Sequence, residues 1–463
     1  MAFVPYFVLG PTGLMGLVGL LHGADRTIPT PNEDWKTATL DLLIPAFNEE
    51  KTILLCLASI QRQSLKPRQI YLYDDHSNDK TIEYAKSFAE LNSIQLKIVS
   101  RGDHSGKTPS VCYAAAASDA DVLAVVDGDT LLKSDNYLER LVQELYQGVG
   151  IACACGFVLP LAEGDRNAAR ELGNLDTYRQ LHPDVQFSPD QTRFQTAQRA
   201  LTNVYREELY LFLHRFIYRG EMTFFGTLIF PVGCAVVYRR VYLKTMLDHY
   251  TTIFGYDLTT SEDIFFGFAL ADQGYRNISV PDVYALTTEP RFFRLFPQIF
   301  KWSSSFLQSC YYFDNLFYTP FKYPRILIQS IKNKFNPQYT HQTDKRKIKE
   351  AYRQAFGVEY TKKYGRKIGW FVFTTAFEKV SYPMFILIFM ILGLWVPLLI
   401  TLGAEVLLYT IIITAMHSNR RIRNFFKAIV FTPIRYSQIM FDLIVIACFI
   451  SDLWLTNNRR WRK

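Results

Sequence analysis

Four short polar clusters follow one another along this 463-residue chain, each where an apolar strand-like run is expected to end. They are Asp74-Asp75, Asp127-Gly128-Asp129, Glu262-Asp263 and the segment Gln298 to Trp302. Two aspartates separated by one residue are weak evidence alone, because such a pair arises by chance about once or twice in a chain this long. The ordered set is more informative. It predicts a site for a metal-bound nucleotide diphosphate, with a general base and an aromatic platform.

Asp127 and Asp129 are candidates to share a divalent cation. Mg²⁺ and Mn²⁺ take oxygen ligands, and such ions are often held by one or two carboxylates together with substrate phosphates. The cation would neutralise the charge that develops on a nucleotide leaving group. The alternative for the pair is an exposed acidic turn.

A second candidate phosphate contact is the segment Ser105-Gly106-Lys107, which precedes a predicted helix. A lysine and unpaired backbone N–H groups at a helix start suit a diphosphate, although the P-loop spacing is absent. Asp75, with Asp74, could accept hydrogen bonds from a base or a ribose. The alternatives are a solvated lysine and an Asx turn that caps the next helix.

Glu262-Asp263 could supply a general base that takes a proton from an acceptor hydroxyl. Two carboxylates at a helix N-terminus also simply favour the helix dipole, which is the alternative. Gln298, Lys301 and Trp302 lie on one helical turn. The tryptophan face could stack on a sugar and Lys301 could hold a phosphate, whereas core or interfacial anchoring is the alternative for Trp302.

The elements that must position these residues alternate between strand and helix patterns. Short apolar runs over 41–47, 69–75, 94–100 and 121–129 are separated by helical spacing, which predicts a mostly parallel, doubly wound α/β sheet. Ligands bind at the carboxyl ends of strands in such sheets. Further strands are predicted over 149–160, 230–243 and 274–286.

The composition indicates a protein that contacts lipid. The net charge of +8 could suggest nucleic acid, but 49% hydrophobic and 15% aromatic residues argue against a nucleic-acid partner. Basic residues cluster beside apolar segments, as at the cytosolic side of membrane helices; solvated surface charge is the alternative. The seven irregularly spaced cysteines are expected to be reduced.

Several segments are long and apolar enough to span a membrane. Residues 2–21 carry no charge, and their glycines recur every third residue, which favours close helix packing. A signal peptide is the rival, but a basic start is absent. Spans are predicted over 371–393 and 396–416. Residues 428–455 contain Arg435, Asp442 and Asp452, so they form either a span with an inward polar face or an interfacial helix.

The expected domain order follows from these segments. The predicted parts are a transmembrane segment (1–23), a catalytic domain (24–302), an interfacial aromatic and basic helical segment (303–369), transmembrane or interfacial helices (370–456) and a basic tail (457–463).

The motifs together resemble the processive family 2 inverting glycosyltransferases, such as cellulose, chitin and hyaluronan synthases, with their D, D, D, Q-x-x-R-W series. The similar segments are IPAFNEE (44–50), GKTPSVCYAAAA (106–117), VVDGDT (125–130), TSEDIFFGFALADQ (260–273) and QIFKW (298–302). Lys301 departs from the pattern, because the family has an arginine there and a lysine lacks the bidentate fork.

The resemblance implies a GT-A fold (a Rossmann-like α/β domain) on the cytosolic face of a plasma or inner membrane. It also implies roles for the matching residues. Nucleotide-sugar binding falls to Ala46, Phe47, Glu49, Asp74, Asp75, Lys107 and Asp127. Asp129, with Asp127, would bind Mg²⁺ or Mn²⁺; Asp263, beside Glu262, would be the base; Gln298, Lys301 and Trp302 would hold the diphosphate and the acceptor.

The resulting expectation is an enzyme that polymerises sugar from a UDP-sugar, with a GDP-sugar less favoured, onto a growing glycan. Because few membrane spans are predicted, export of the product is expected to involve a homo-oligomer or an accessory subunit. A lipid glycosyltransferase resembling ceramide glucosyltransferases is the second interpretation, and a non-catalytic membrane scaffold is the third.

Overall fold

The computed structural model describes most of the chain. The described residues are 10–22, 34–102, 104, 106–148, 150–171, 173–188, 192–254, 261–334, 355–417 and 421–456. Ser105, the predicted basic tail and the first residues of the predicted N-terminal span lie outside them.

One eight-stranded mixed sheet forms the centre of the first half of the chain, in the order β3-β2-β1-β4-β7-β6-β8-β5. Strands β1 to β4 are parallel, β7 runs antiparallel between β4 and β6, and β5 pairs antiparallel with β8. The strands are β1 Leu40–Ala46, β2 Gln69–Asp74, β3 Leu96–Ser100, β4 Val122–Val126, β5 Thr130–Leu132, β6 Ile151–Pro160, β7 Ala235–Arg239 and β8 Arg276–Thr287.

Helices cover the sheet and connect its strands. The central strands β1 and β4 are buried along almost their whole length, as expected for parallel strands covered on both faces. The helices of this half are α1 Pro11–His22, α2 Ile53–Gln61, α3 Thr81–Leu91, α4 Lys107–Ala117, α5 Tyr137–Tyr146, α6 Glu163–Arg170, α7 Gly173–Leu181, α8 Arg193–Phe212, α9 Arg219–Phe225, α10 Arg240–Phe254 and α11 Glu262–Asp272.

The strand predicted over 230–243 is wrong at both ends. Only Ala235–Arg239 is a strand, and α10 begins at Arg240. The apolar residues after that point are buried at helical rather than alternating spacing, namely Leu243, Met246, Leu247 and Tyr250. A short apolar run read from the sequence could not separate the two patterns.

The second half of the chain is helical. Its helices are α12 Leu295–Tyr312, α13 Asp314–Phe317, α14 Thr319–Lys334, α15 Ala355–Tyr364, α16 Ile368–Ile391, α17 Trp395–Met416 and α18 Arg421–Ile450, the last continued by a π-helical turn, Ser451–Leu455. Within the described ranges, three helical stretches are long and apolar enough to cross a membrane: Ile368–Ile391, Trp395–Met416 and Ile422–Leu455.

Three charged side chains of the last two apolar helices are buried in the protein interior, namely Glu405, Arg435 and Asp442. Asp442 of α18 is fully buried and forms an ion pair of 2.6 Å with Lys379 of α16. Arg435 of α18 lies 3.8 Å from Glu405 of α17. An inward polar face is therefore the interpretation of residues 428–455 that the structure supports.

The N-terminal apolar helix α1 uses its glycines for close packing. A Cβ built on Gly19 would lie 2.7 Å from the backbone of Gly220, and one on Gly16 would lie 2.5 Å from the ring of Phe216. Both distances are too short for a side chain. The bare face predicted from the glycine spacing is thus the contact surface.

Candidate active site

A cavity of about 290 Å³ opens at the carboxyl end of β4, between α4, the start of α11 and α12. It brings together seven of the residues predicted from the sequence, although these are up to 195 positions apart in the chain (107 to 302). The seven are Lys107, Asp127, Asp129, Glu262, Asp263, Gln298 and Trp302.

Lys107 is the cation that joins the sides of this cavity. Its Nζ lies 2.6 Å from Asp127 Oδ1 and 2.8 Å from Glu262 Oε1, and it donates a 2.9 Å hydrogen bond to the carbonyl of Gly233. Burial alone would lower the pKa of Lys107, but the two carboxylates outweigh it and raise the pKa. The side chain is therefore an ammonium ion, not a solvated surface lysine.

The carboxylates at the end of β4 suit a divalent cation. Burial raises the pKa of Asp129 to about 7, with the charge of Asp127 adding to it. Burial, followed by the charge of Asp129, raises the pKa of Glu49 to about 8. Five carboxylates and one ammonium line the cavity, so a diphosphate needs added positive charge to enter.

The donor set is all oxygen, which fits Mg²⁺ or Mn²⁺. In the part of the chain that the structure describes, no group of three or more His, Cys, Asp or Glu side chains is arranged to hold a metal. The ion would therefore be held by one or two aspartates and by the substrate phosphates, as predicted for Asp127 and Asp129.

Glu262 and Asp263 occupy the first turn of α11 but are placed differently. Glu262 is bound to Lys107, whereas Asp263 faces Gly233 across the cavity. A Cβ added to Gly233 would lie 2.8 Å from Asp263 Oδ2, so only glycine leaves room for this carboxylate. Of the two carboxylates, Glu262 therefore contacts Lys107, and Asp263 lies against Gly233.

Gln298 and Trp302 line the cavity from α12, but Lys301 does not. Positions 298 and 302 are one turn apart and share a helix face, while Lys301 is exposed. The predicted phosphate contact of Lys301 therefore stays a prediction, made for a side chain outside the cavity lining. Its helix is fixed by packing on α18, where Phe296 lies 5.3 Å from Phe441.

The predicted nucleotide-binding residues lie at the neighbouring strand ends. Asp75 Oδ2 accepts a 2.8 Å hydrogen bond from the Gly106 N–H and lies 2.7 Å from His104 Nδ1. Phe47 stacks on His104 with 4.3 Å between ring centroids. The Asp75 N–H donates to the carbonyl of Ala46, 2.9 Å away, which places Asp75 beside the end of β1. Phe47, Asp75 and His104 thus form a surface next to the cavity, called the nucleotide surface below.

Asp74 has a local contact in this structure. Its Oδ1 accepts a 3.1 Å hydrogen bond from the Ser77 N–H, three residues on, in the turn that follows β2.

Among the residues that escaped the sequence interpretation are Glu289, which lines the cavity, and Arg206, which contacts Glu289. Glu289 lies two residues after the end of β8, so the strand-end rule that selected the aspartates would also have found it. Arg206 lies within α8, and its spacing gives no signal because its partners are far away in the sequence. Its Nε lies 3.3 Å from Glu289 Oε2.

Comparison with known proteins shows which families and proteins this chain is similar to. Residues 41–247 match the family described as Glycosyl transferase family 2. An N-acetylglucosaminyltransferase of Bradyrhizobium diazoefficiens is 25% identical over 271 residues, which cover 58% of this chain and 48% of that protein. A 4,4'-diaponeurosporenoate glycosyltransferase of Staphylococcus haemolyticus is 32% identical over 141 residues, 28% of this chain and 36% of that protein.

Among solved structures, a mannosyltransferase from Pyrobaculum calidifontis in complex with GDP-Man and Mn²⁺ is 14% identical. Its TM-score is 0.48, and the match covers 96% of this chain and 94% of that one. The chain spans about half the length or less of the curated relatives it matches first (48%, 36% and 54%). The predicted GT-A α/β fold is confirmed, residues 41–247 match the family 2 glycosyltransferase model, and three helices among the described residues could cross a membrane.

Proposed function

We propose that this chain is a membrane-bound, inverting glycosyltransferase that uses a UDP-sugar and a divalent cation. The observation that carries the proposal is the single cavity in which Lys107 and Asp127 face Asp263 and Trp302. Phosphate-binding charge, a candidate base and a sugar-stacking ring are the three parts that transfer to a hydroxyl requires.

The residues would divide the reaction between them. Asp127 and Asp129 would hold Mg²⁺ or Mn²⁺, which supplies charge neutralisation for the departing nucleotide diphosphate. Asp263 would accept the proton of the acceptor hydroxyl as its oxygen attacks the anomeric carbon from the opposite side, and this in-line attack inverts the configuration. Lys107 would contact the diphosphate.

The nucleotide would lie on the nucleotide surface beside the cavity. Phe47 and Asp75 would hold the base and the ribose, and Glu49, near the aspartates, would face the diphosphate. Ala46, at the end of β1, would pack against the nucleotide. The names of the N-acetylglucosaminyltransferase relatives favour UDP-N-acetylglucosamine as the donor.

The acceptor is proposed to be a growing glycan, so that repeated transfer builds an oligosaccharide or polysaccharide. The chain would be an integral membrane protein with its catalytic domain in the cytosol, and export would need a second copy or an accessory subunit. The three apolar helices support membrane attachment.

A membrane lipid is the second candidate acceptor. The observation that favours it is the direct contact between the helix of Trp302 and the apolar helices, through Ser303 and Asp442. One relative, the 4,4'-diaponeurosporenoate glycosyltransferase, also has an acceptor other than a glycan in its name.

Labelled donors test the proposal. The full chain in native membranes is given UDP-N-acetylglucosamine, UDP-glucose, UDP-glucuronate or GDP-mannose with Mg²⁺ or Mn²⁺. A long, non-extractable product supports polymerisation, and a single-sugar product in the organic phase supports the lipid acceptor. Asp263→Asn is the inactive variant, and Asp248→Asn, an exposed carboxylate on α10, is its control. No transfer from any donor, with Asp263→Asn equal to wild type, would exclude an enzyme.

A further inference from the structure

A buried guanidinium lies behind the acceptor side of the cavity. Arg206 of α8 is fully buried, and its Nη2 donates a 2.8 Å hydrogen bond to Gln298 Oε1. Its Cζ lies 4.9 Å from the centroid of the Trp302 ring, over the ring. One side chain therefore contacts both α12 residues that line the cavity.

The contact with Gln298 determines which way its amide points. A guanidinium has donors only, so it must meet the amide oxygen and not the nitrogen. The NH₂ group of Gln298 is then the opposite end of the amide, and it offers two donors to a ligand. Without Arg206 the amide could rotate by half a turn and present an acceptor instead.

Glu289 holds Arg206 in this position. Besides the contact of 3.3 Å with Arg206 Nε, Glu289 accepts a hydrogen bond of 2.5 Å from the Tyr210 hydroxyl through Oε1. An uncompensated charge in a dry site is costly, so the carboxylate is the counter-ion that permits a guanidinium there. Arg206 Nη1 is buried without a hydrogen-bond partner among the described residues.

We propose that Arg206 is a positioning residue that fixes the amide of Gln298 and the indole ring of Trp302 for a sugar acceptor. The inference rests on the proposed function and adds the acceptor's chemistry, namely a pyranose ring with hydroxyl groups. The ring would stack on Trp302, and a hydroxyl would accept from Gln298. Lysine cannot replace this residue, because it lacks the planar fork that reaches an amide and a carboxylate while covering a ring.

Steady-state kinetics with the full chain test the proposal. Arg206→Lys and Arg206→Met are each expected to raise the KM for a soluble oligosaccharide acceptor at least about tenfold, with the donor KM within about twofold of wild type. Arg193→Met, an exposed arginine at the start of α8, is the control and should change neither constant. An acceptor KM unchanged in Arg206→Lys would overturn the proposal.

A double variant separates positioning from folding. Arg206→Met leaves Glu289 unpaired and can lower thermal stability, whereas Arg206→Met with Glu289→Gln removes both charges. The double variant should regain the wild-type apparent Tm but keep the raised acceptor KM. If the acceptor KM recovers together with the Tm, Arg206 is only a structural counter-ion and the proposal is wrong.

Fluorescence gives a result that does not depend on activity. The emission of Trp302 is obtained as the difference between wild type and Trp302→Phe. In the Arg206→Met background this difference spectrum should shift and become more accessible to acrylamide, because the ring loses the guanidinium that covers it. An unchanged spectrum would refute the positioning. If wild type transfers no sugar, the proposed function fails while the fluorescence still decides the placement of Trp302.

Discussion

The hydroxyl of Ser303 donates a 2.9 Å hydrogen bond to Asp442 Oδ1, which ties the residue after Trp302 to helix α18. Lys379 completes the contact, since its Nζ lies 2.6 Å from Asp442 Oδ1 and donates a 2.9 Å hydrogen bond to Ser303 Oγ. All three side chains are buried. The acceptor side of the cavity is therefore anchored in the apolar helices.

Breaking this buried pair should destabilise the chain. Lys379→Met leaves the Asp442 carboxylate buried and unpaired, with an expected loss of about 3 kcal/mol in the free energy of unfolding. The measurement is the apparent Tm of the detergent-solubilised chain. Lys379→Met with Asp442→Leu should recover most of the loss. Glu207→Gln removes the partner of a half-exposed pair with Lys427 and is the control, with an expected effect below about 1 kcal/mol. A single variant as stable as wild type would contradict this interpretation.

Removing the metal or one of its aspartates should abolish transfer. Because the cation contributes several kcal/mol of charge stabilisation, Asp129→Asn is expected to lower kcat by about 10²-fold or more. EDTA should inactivate wild type, and Mn²⁺ or Mg²⁺ should restore it. Asp135→Asn, an exposed carboxylate paired with Arg62, provides the comparison and should retain full activity. Activity that survives EDTA would exclude a divalent cation.

The adjacent carboxylates of α11 should show different kinetic defects. Asp263→Asn removes the proposed base and should lower kcat by about 10²–10⁴-fold with little effect on the donor KM. Glu262→Gln removes a partner of Lys107 and should act mainly on the donor KM. Initial rates over a grid of donor and acceptor concentrations separate the two. Equal kcat losses in both variants would show that the residues are not divided in this way.

Stability should depend on the ionisation of Asp272, at the end of α11. Burial raises the pKa of Asp272 to about 7, although Arg366 and Lys322 oppose the shift. Because the folded state disfavours the charged carboxylate, ionisation of Asp272 lowers the free energy of unfolding. This loss of stability is absent below about pH 4, grows as the pH rises to 7 and is fully present above it. Asp272→Asn should therefore raise the free energy of unfolding by roughly 2 kcal/mol at pH 8 and by much less at pH 5. The measurement is the apparent Tm at each pH, which should rise accordingly. Glu171→Gln, at an exposed site, should raise it at neither pH.

Strand ends and helix starts were predictable where a single local sequence pattern determines them. Buried β1, β2 and β4 have short apolar runs followed by polar residues, so the strand ends and Asp75, Asp127 and Asp129 could be located. The first turn of α11 was likewise visible, because an acidic pair precedes a long apolar run. The paired roles of Glu262 and Asp263 were not, since they depend on Lys107 reaching only one of them.

The rest of the site depends on contacts between distant segments. Arg206 could not be identified because its partners, Glu289 and Gln298, belong to segments that only the fold brings together. Lys301 was assigned from its position in a motif, but its direction is set by how α12 packs on α18. The inward-facing position of Asp442 on α18 could not be predicted because its buried partner, Lys379, lies on another helix.

The shared ammonium of Lys107 has a consequence for the order of substrate binding. Asp127 and Glu262 both contact it in the structure. A diphosphate that enters the cavity competes for the same ammonium, so both carboxylates need a replacement positive charge at that moment. Arrival of the donor and of the divalent ion is thereby linked into one event. That event would also change the charge around Glu262, directly beside Asp263, so the proposed base would reach its working environment only once the donor is bound. The expected kinetic scheme is sequential and ordered, with the nucleotide sugar binding first and the acceptor second.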